Sequence, residues 1–382
     1  MAVDATLGVT DLVEAMHHTI TRLGTSTAGR TQGITGLVYG SIRGVTRLVG
    51  SGTDVILTPL APLLGEQLSS PEREAVISAL NGVLGDHLAA NDNPLAIRMH
   101  LRQDGQPLDL EAQTLHEASP QASNKILLMV HGLCLNDLHW LRNGHNHGAM
   151  LATELGYTPI YLHYNTGLHI STNGRTFADI IETLLHRWPV PVDELAIIGH
   201  SMGGLVSRSA CYYGTMAGHT WLRYLHKMVF LGTPHHGSPL EQHGNGLNSL
   251  LEINPYTAAF TRLAKIRSAG ITDLRHGNLL DEDWAEQDRF AHAHDQRRLV
   301  PLPNGVQCYA IGVTTGDAIG DLRDQLFGDG LVSLQSALGY HKDPERIIEF
   351  PETNQWIGHN MNHMDLLDQP EVYEQIRQSF IS

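Results

Sequence analysis

Cysteine and long apolar runs are scarce in this sequence. Its 382 residues include only three cysteines, Cys134, Cys211 and Cys308, which lie far apart and form neither a CxxC pair nor a disulfide framework. The most apolar early stretch, residues 55–64, is short and contains two prolines, so it cannot cross a bilayer as a helix. The first residues lack the basic start and apolar core of a signal peptide. We therefore expect a cytoplasmic protein.

Basic residues are also few. The chain has 25 Lys and Arg against 40 Asp and Glu, a formal net charge of −15, and no Lys/Arg run, so nucleic acid is not an expected partner. A neutral ester, lipids included, fits this charge better. The nucleotide-binding patterns GxxxxGK[ST] and GxGxxG after a strand are missing, as is HExxH. We predict no cofactor and no metal.

Residues 1–92 form a predicted helical N-terminal extension. Apolar residues recur at helical spacing over residues 12–23 and 34–49, and Ser70-Pro71-Glu72 opens a third helix that continues through Leu84. Two interpretations are open. The extension packs on the main domain, or it forms a hairpin that makes peripheral contact with a membrane surface or binds a partner.

Residues 93–382 alternate strands with helices, which predicts an α/β fold with a mostly parallel sheet and helices on both faces. About seventy residues separate two of the strands, too many for a plain connection, and we interpret residues 235–304 as a cap insertion with helices over 247–266 and 281–293. The predicted strands are residues 95–101, 126–130, 158–162, 195–198, 228–231, 306–311 and 347–350, and the other predicted helices are residues 177–188, 202–213 and 371–380.

The segment Gly199-His200-Ser201-Met202-Gly203 matches the GxSxG nucleophile elbow. This motif needs a sharp turn from strand to helix that exposes the serine, with glycines where the strand and helix approach. The bare pattern is common, but here an apolar strand precedes it and a helix follows. The alternative is a glycine-rich turn without activity. We predict that Ser201 is a nucleophile.

The segment His131-Gly132-Leu133 follows the predicted strand 126–130. In this arrangement the loop supplies one backbone N–H of an oxyanion hole, and the residue after the nucleophile supplies the other. The predicted donors are therefore the amides of Leu133 and Met202. An ordinary glycine turn is the alternative.

A nucleophilic serine needs a base, and the base needs an orienting acid. In the fold to which a GxSxG elbow belongs, the three follow in the chain order Ser, Asp or Glu, His. His363 lies between the last predicted strand and helix, where a loop would deliver the base. The tight turn at Asp329 lies between the last two predicted strands and is the favoured acid. Asp365 is poorly placed to orient His363 and is expected to serve structure. The rivals left open are His359 and His341 for the base, and Asp317, Asp321 and Asp324 for the acid.

The other histidines are expected to be structural and not to bind a metal. They form no tight His/Cys cluster of the kind that binds zinc, and local hydrogen bonds are expected to satisfy their imidazoles. The histidines concerned are His139, His145, His147, His235 and His236.

With these motifs in place, the sequence resembles the bacterial lipase and esterase group of α/β-hydrolases, including relatives similar to GPI inositol-deacylases. The resemblance covers residues 125–369 apart from the cap and does not extend to the N-terminal ninety or so residues. It rests on residues 130–133, 199–204, 231–238 and 329–332, together with Asn362-His363.

The resemblance implies the triad Ser201, Asp329 and His363, and the hydrolysis of carboxylic esters through an acyl-enzyme. An acyltransferase or thioesterase could use the same residues, and a non-catalytic lipid-binding protein could keep them as relics. Some lipases of the group bind a structural Ca²⁺ with an Asp and a Gln placed like Asp365 and Gln369, but a further acidic ligand upstream cannot be identified.

Overall fold

The computed structural model describes residues 71–111, 115–116, 119, 121–238, 268–285, 297–316 and 328–382. The helices predicted over 12–23, 34–49 and 247–266 lie outside these residues. The strands are β1 (His100–Gln103), β2 (Gln106–Pro107), β3 (Lys125–Val130), β4 (Thr158–His163), β5 (Glu194–His200), β6 (Leu225–Leu231), β7 (Gln307–Thr314) and β8 (Gln355–His359). The helices are α1 (Pro71–Ala90), α2 (His147–Leu155), α3 (Ile170–Arg187), α4 (Met202–Ala217), α5 (Ala269–His276), α6 (Leu334–Ala337) and α7 (Pro370–Ile381).

One eight-stranded sheet in the order β2-β1-β4-β3-β5-β6-β7-β8 organises the described part of the chain. The strands from β4 to β8 in this order pair in parallel, and β1 pairs antiparallel with both β2 and β4. Alternate residues of β3 enter different apolar clusters: Leu128 lies in one, and Leu127 and Met129 lie in the other. Both faces of the sheet are therefore covered, and the α/β-hydrolase fold predicted from the sequence is confirmed.

The first predicted strand, residues 95–101, begins later than expected. The N–H of Ile97 donates to the Asn81 side chain of α1 at 2.9 Å instead of to a neighbouring strand, and β1 starts only at His100. The predicted turn is present at Asp104 and Gly105, which both have positive φ and join β1 to β2.

The strand predicted over residues 347–350 is wrong. This segment is irregular, although Ile348 and Phe350 are buried in the core, because it lies close to Pro344 and Pro351 and the N–H of Phe350 bonds locally to the Ile348 carbonyl at 3.1 Å. The last strand is instead β8, which pairs with β7. An edge strand is half-buried and has no continuous apolar run.

The predicted cap insertion includes a helix that the pattern did not show, α5. The predicted helix 281–293 is a short 3₁₀ turn, Asp281–Asp283, in its described portion. The third N-terminal helix is confirmed as α1, and its residues Leu80, Leu84 and Leu88 are buried in the same cluster as Leu128. Within the described ranges, no helix has the length and apolarity needed to span a membrane.

The buried histidines His131 and His147 and the half-buried His139 are neutral in the folded protein. Burial lowers the pKa of His131 and of His147 to about 3, and that of His139 to about 4, because an imidazolium ion in these places would lose its hydration. In the unfolded chain a histidine titrates near 6.5. Between these values only the unfolded state takes up the protons, so stability is complete above pH 6.5 and declines as the pH falls below it.

We expect the free energy of unfolding to fall by about 2 kcal/mol for each of these histidines between pH 7 and pH 5. Urea unfolding at a series of pH values measures this slope. His147→Gln should make the slope shallower, whereas His226→Gln, at an exposed position, should leave it unchanged. A stability that does not vary with pH over this range would contradict the expectation.

Candidate active site

Ser201 is the single residue between β5 and α4. Its backbone has φ 53° and ψ −123°, a region that favours glycine and that costs a serine about 1–3 kcal/mol. The N–H of Ser201 donates to the Leu231 carbonyl at 2.8 Å, and the N–H of Gly204 donates to the Ser201 carbonyl at 3.1 Å. These bonds hold the strained turn and place the serine at the end of the sheet.

The glycines of this turn permit close approaches that a side chain would block. A Cβ atom at Gly203 would lie 2.2 Å from the Val130 carbonyl oxygen, and one at Gly204 would lie 2.0 Å from Thr233 Oγ1. Helix α4 therefore begins directly against the ends of β3 and β6. The GxSxG spacing has a steric cause in this protein.

His363 and Asp329 form a buried pair. The Nδ1–H of His363 donates to Asp329 Oδ2 at 2.6 Å, and the N–H of His363 donates to the Asp329 carbonyl at 3.1 Å. The other carboxylate oxygen accepts hydrogen bonds from the N–H groups of Leu331 and Val332 at 2.9 and 2.8 Å. Asp329 is thus fixed, and it selects the tautomer that leaves His363 Nε2 as an acceptor.

His363 Nε2 is buried and has no hydrogen-bond partner among the described residues. His363 and Ser201 line the same cavity, whose volume is about 550 Å³ including space open to solvent. The other lining residues are mostly apolar: Gly132, Leu133, Cys134, Leu135, His200, Pro234, Ser238, Leu274, Leu331, Val332 and Met364. The structure therefore brings the predicted nucleophile and the predicted base to one cavity, with the predicted acid behind the base.

Of the two predicted oxyanion donors, Leu133 lines this cavity, and Met202 directly follows Ser201, which also lines it. Gly132 places its loop against the nucleophile, because a Cβ atom there would lie 2.9 Å from Ser201 Cβ. The N–H of Cys134, the residue after Leu133, donates a hydrogen bond to Thr166 Oγ1 at 3.2 Å. Within the described part of the chain, neither the Leu133 nor the Met202 amide donates a hydrogen bond to another residue. Both are available to a ligand.

The rival candidates are placed differently. His359 ends β8, His341 contacts Asp343, and neither lines the cavity. Asp365 accepts the Asn362 N–H at 2.8 Å and so holds the loop that carries His363. No group of metal-ligating side chains is found within the described residues, while Asp317, Asp321 and Asp324 fall outside them.

His200 is a site residue that sequence analysis missed. Its Nε2–H donates to the His363 carbonyl at 3.2 Å, which ties the residue before the nucleophile to the loop of the base. Burial, and then the charge of His363, hold the pKa of His200 well below its usual value. A neutral His200 therefore adds no repulsion when His363 is protonated. Its position in GxSxG is variable, so the motif gave no signal.

Residues 233–238, which the sequence alone left unexplained, fasten the loop of Asp329. Ser238 Oγ–H donates to the Leu331 carbonyl at 2.6 Å, the His235 N–H donates to the Ser336 carbonyl at 3.2 Å, and Ser336 Oγ–H donates to the Gly237 carbonyl at 2.8 Å. The segment after β6 is thereby bonded to Leu331 in the turn that follows Asp329 and to Ser336 in α6.

The five histidines His139, His145, His147, His235 and His236 each have a hydrogen-bond partner, as predicted, although some partners are distant in sequence. Among these five, His235 bonds to an arginine, Arg208. The other partners are Asn136 for His139, His147 for His145, Leu366 for His147 and Gly339 for His236.

The order and direction of the strands and the helices between them are those of the α/β-hydrolase fold. Residues 164–314 match the family of the PGAP1-like alpha/beta domain, a stretch that includes Ser201 and residues 233–238 but neither Asp329 nor His363. The resemblance inferred from the motifs is thus confirmed. No curated protein is significantly similar to the chain in sequence.

Solved lipases and esterases are similar to the chain in structure, at low sequence identity. The mature Bacillus licheniformis lipase BlEst2 is 15% identical, with a TM-score of 0.46 over 75% of this chain and 98% of its own. EstA from Clostridium botulinum is 13% identical, with a TM-score of 0.41 over 68% and 87%. The Pyrococcus furiosus esterase Pf2001 is 12% identical, with a TM-score of 0.40 over 68% and 82%. The family match and the fold support a hydrolase.

Ser238→Ala is expected to destabilise the protein by about 1–3 kcal/mol, because the Leu331 carbonyl then loses its buried hydrogen bond. Ser207→Ala is a matched control: that buried hydroxyl bonds to the Gly203 carbonyl within α4, so its loss should cost less. Urea unfolding of both variants measures the difference. Equal losses would contradict the fastening of the Asp329 loop.

Proposed function

We propose that the protein is a serine carboxylic-ester hydrolase, an esterase or lipase, that acts through an acyl-enzyme on Ser201. The observation that carries the proposal is the free, buried Nε2 of His363 in the cavity that Ser201 lines. Its Nδ1–H bond to Asp329 supports a role for this nitrogen as a base, and Ser201 lines the same cavity. No cofactor is needed for this chemistry.

In the proposed mechanism, His363 Nε2 removes the Ser201 Oγ proton as Oγ attacks the ester carbonyl carbon. The carbonyl oxygen becomes an oxyanion and accepts hydrogen bonds from the Leu133 and Met202 amides. His363 then gives its proton to the leaving alkoxide as the C–O bond breaks. Water, deprotonated by His363, hydrolyses the acyl-enzyme, and Asp329 stabilises the imidazolium in both steps.

The cavity supports a neutral substrate. Its described lining contains no Lys, Arg, Asp or Glu side chain, and leucine, valine, methionine and proline supply most of it. A charged acyl group would lose its hydration there without a partner. An uncharged ester with an apolar acyl chain fits this environment, and lipid esters belong to that class. Contact of the N-terminal extension, residues 1–92, with a membrane surface stays a prediction, as does a cytoplasmic location.

Ser201→Ala should lower the turnover of p-nitrophenyl esters by at least about 10³-fold, because the nucleophile is lost. The folded state should persist, since alanine keeps the Cβ atom and the change removes only the hydroxyl group. Rates over acyl chains from acetate to palmitate, with Ser207→Ala as the active control, test this. Near-normal turnover by folded Ser201→Ala would refute the nucleophile.

Asp329→Asn should lower kcat by about 10⁴-fold. The amide keeps an oxygen for the Leu331 and Val332 N–H groups but presents an NH₂ to His363, which favours the wrong imidazole tautomer. Asp365→Asn, which keeps an oxygen for the Asn362 N–H, should lose far less. Comparable losses in the two variants would argue against Asp329 as the orienting acid.

Substrates of other classes distinguish the alternatives on the same residues. Faster turnover of a thioester at a matched acyl group would indicate a thioesterase, and transfer to an added alcohol in preference to water would indicate an acyltransferase. Lipid binding that survives Ser201→Ala, with no covalent labelling of the wild type by a fluorophosphonate, would indicate a non-catalytic protein.

A further inference from the structure

We propose that helix α1 is a positioning element of the active site, which fixes the loop that carries the Leu133 amide. The inference rests on the proposed ester hydrolysis. Helix α1 precedes the residues that match the PGAP1-like family, and its sequence contains no catalytic motif. Its contacts, however, lie next to the proposed oxyanion hole.

The closest contact joins Gly82 of α1 to Cys134, the residue after Leu133. A Cβ atom at Gly82 would lie 2.2 Å from Cys134 Sγ and 3.1 Å from its Cα, so the helix backbone and the loop backbone touch. Cys134 has φ 60°, an unfavourable value for a cysteine. The loop is thus strained at the point where α1 supports it.

Carbonyl groups on one face of α1 extend this contact to two more segments. Residues 79, 82 and 85 are spaced by three and so share a face. The Gly82 carbonyl accepts a hydrogen bond from the Ser268 hydroxyl at 2.6 Å, and the Gly85 carbonyl accepts one from the side-chain amide of Asn165 at 2.9 Å. Cys134 Sγ lies 3.9 Å from the Ala79 carbonyl. The helix therefore joins the oxyanion loop to the segments that begin α5 and follow β4.

The segment after β4 holds the same loop from its other side. Thr166 Oγ1 accepts the Cys134 N–H, and a Cβ atom at Gly167 would lie 2.1 Å from the Asn81 carbonyl oxygen of α1. Helix α5 also begins on α1, where Asp86 accepts the Ala269 N–H at 3.0 Å, and its Leu274 lines the cavity. A shift of α1 would move both the Leu133 amide and one wall of the cavity.

Glycine at positions 82 and 85 is unfavourable for the helix itself. Each glycine inside a helix costs about 1 kcal/mol relative to alanine. The burial of Leu80, Leu84 and Leu88 offsets this cost, and the glycines allow the close approach to the loop. Because catalysis is sensitive to displacements of about 1 Å, this approach bears on the rate as well as on stability.

Gly82→Ala tests the proposal, because its new methyl group overlaps Cys134 Sγ and must displace the loop. We expect kcat for p-nitrophenyl butyrate to fall by about 10-fold or more, with KM changed by less than about 2-fold, as for the loss of a contact made only in the transition state. Inhibition by butylboronic acid, which forms a tetrahedral anion on the serine, should weaken in parallel.

A double-mutant cycle locates the effect. In a Cys134→Ala background the Sγ atom is absent, so Gly82→Ala should lower kcat much less than it does in the wild type.

Thr183→Gly, at an exposed position of α3, is the stability control and should lower the unfolding midpoint without lowering kcat. If Gly82→Ala does not fold, Cys134→Gly adds no atoms, removes the contact with α1 and should still lower kcat several-fold.

The two proposals fail differently. An inactive, folded wild type would remove the ester hydrolase and this inference with it. An active wild type would leave the hydrolase standing, and then unchanged kcat in folded Gly82→Ala, or an equal effect of Gly82→Ala in both backgrounds, would overturn only the role of α1. If Gly82→Ala is unfolded, unchanged kcat in Cys134→Gly would overturn it.

Discussion

The backbone strain at Ser201 is the constraint on which the site depends. A serine at φ 53° persists only where its surroundings determine it. Here a parallel strand enters the turn, α4 leaves it, and the hydrogen bond that the Ser201 N–H donates to the Leu231 carbonyl of β6 closes it. The glycines at 203 and 204 exist because that turn leaves no room for side chains against β3 and β6. The same crowding brings Gly132 against the serine and so sets the distance from Ser201 to the loop that carries Leu133.

The order of the strands in the sheet determines where the other site residues lie. Residues 132–133, 201, 329 and 363 come after β3, β5, β7 and β8, and the carboxyl ends of parallel strands meet at one edge. Residues more than two hundred positions apart thus share one cavity without a long-range signal in the sequence. The buried pair of Asp329 and His363 is then held by hydrogen bonds to backbone groups, which depend on loop shape more than on side-chain identity.

The sequence was informative where chemistry requires particular residues at a fixed spacing. The elbow, the chain order and the alternation of strands and helices gave the fold and the placement of Ser201, Asp329 and His363. The sequence does not predict contacts that form only when distant segments fold together. Residues 347–350 have a strand-like composition yet pack as an irregular segment, whereas β8 lacks an apolar run. His200, residues 233–238 and α1 act through backbone carbonyls, which have no sequence signature.

Helix α1 also sets the order in which the protein can be completed. Its contacts with Cys134, Asn165 and Ser268 span 55, 80 and 186 residues of sequence, so these partners are synthesised one after another, all of them later than the helix. At about 5–20 residues per second the last of them follows the helix by roughly 10–40 s. Until then α1 can pack on the strands but not on the start of α5, so the support of the Leu133 loop is complete only after Ser268 has been synthesised.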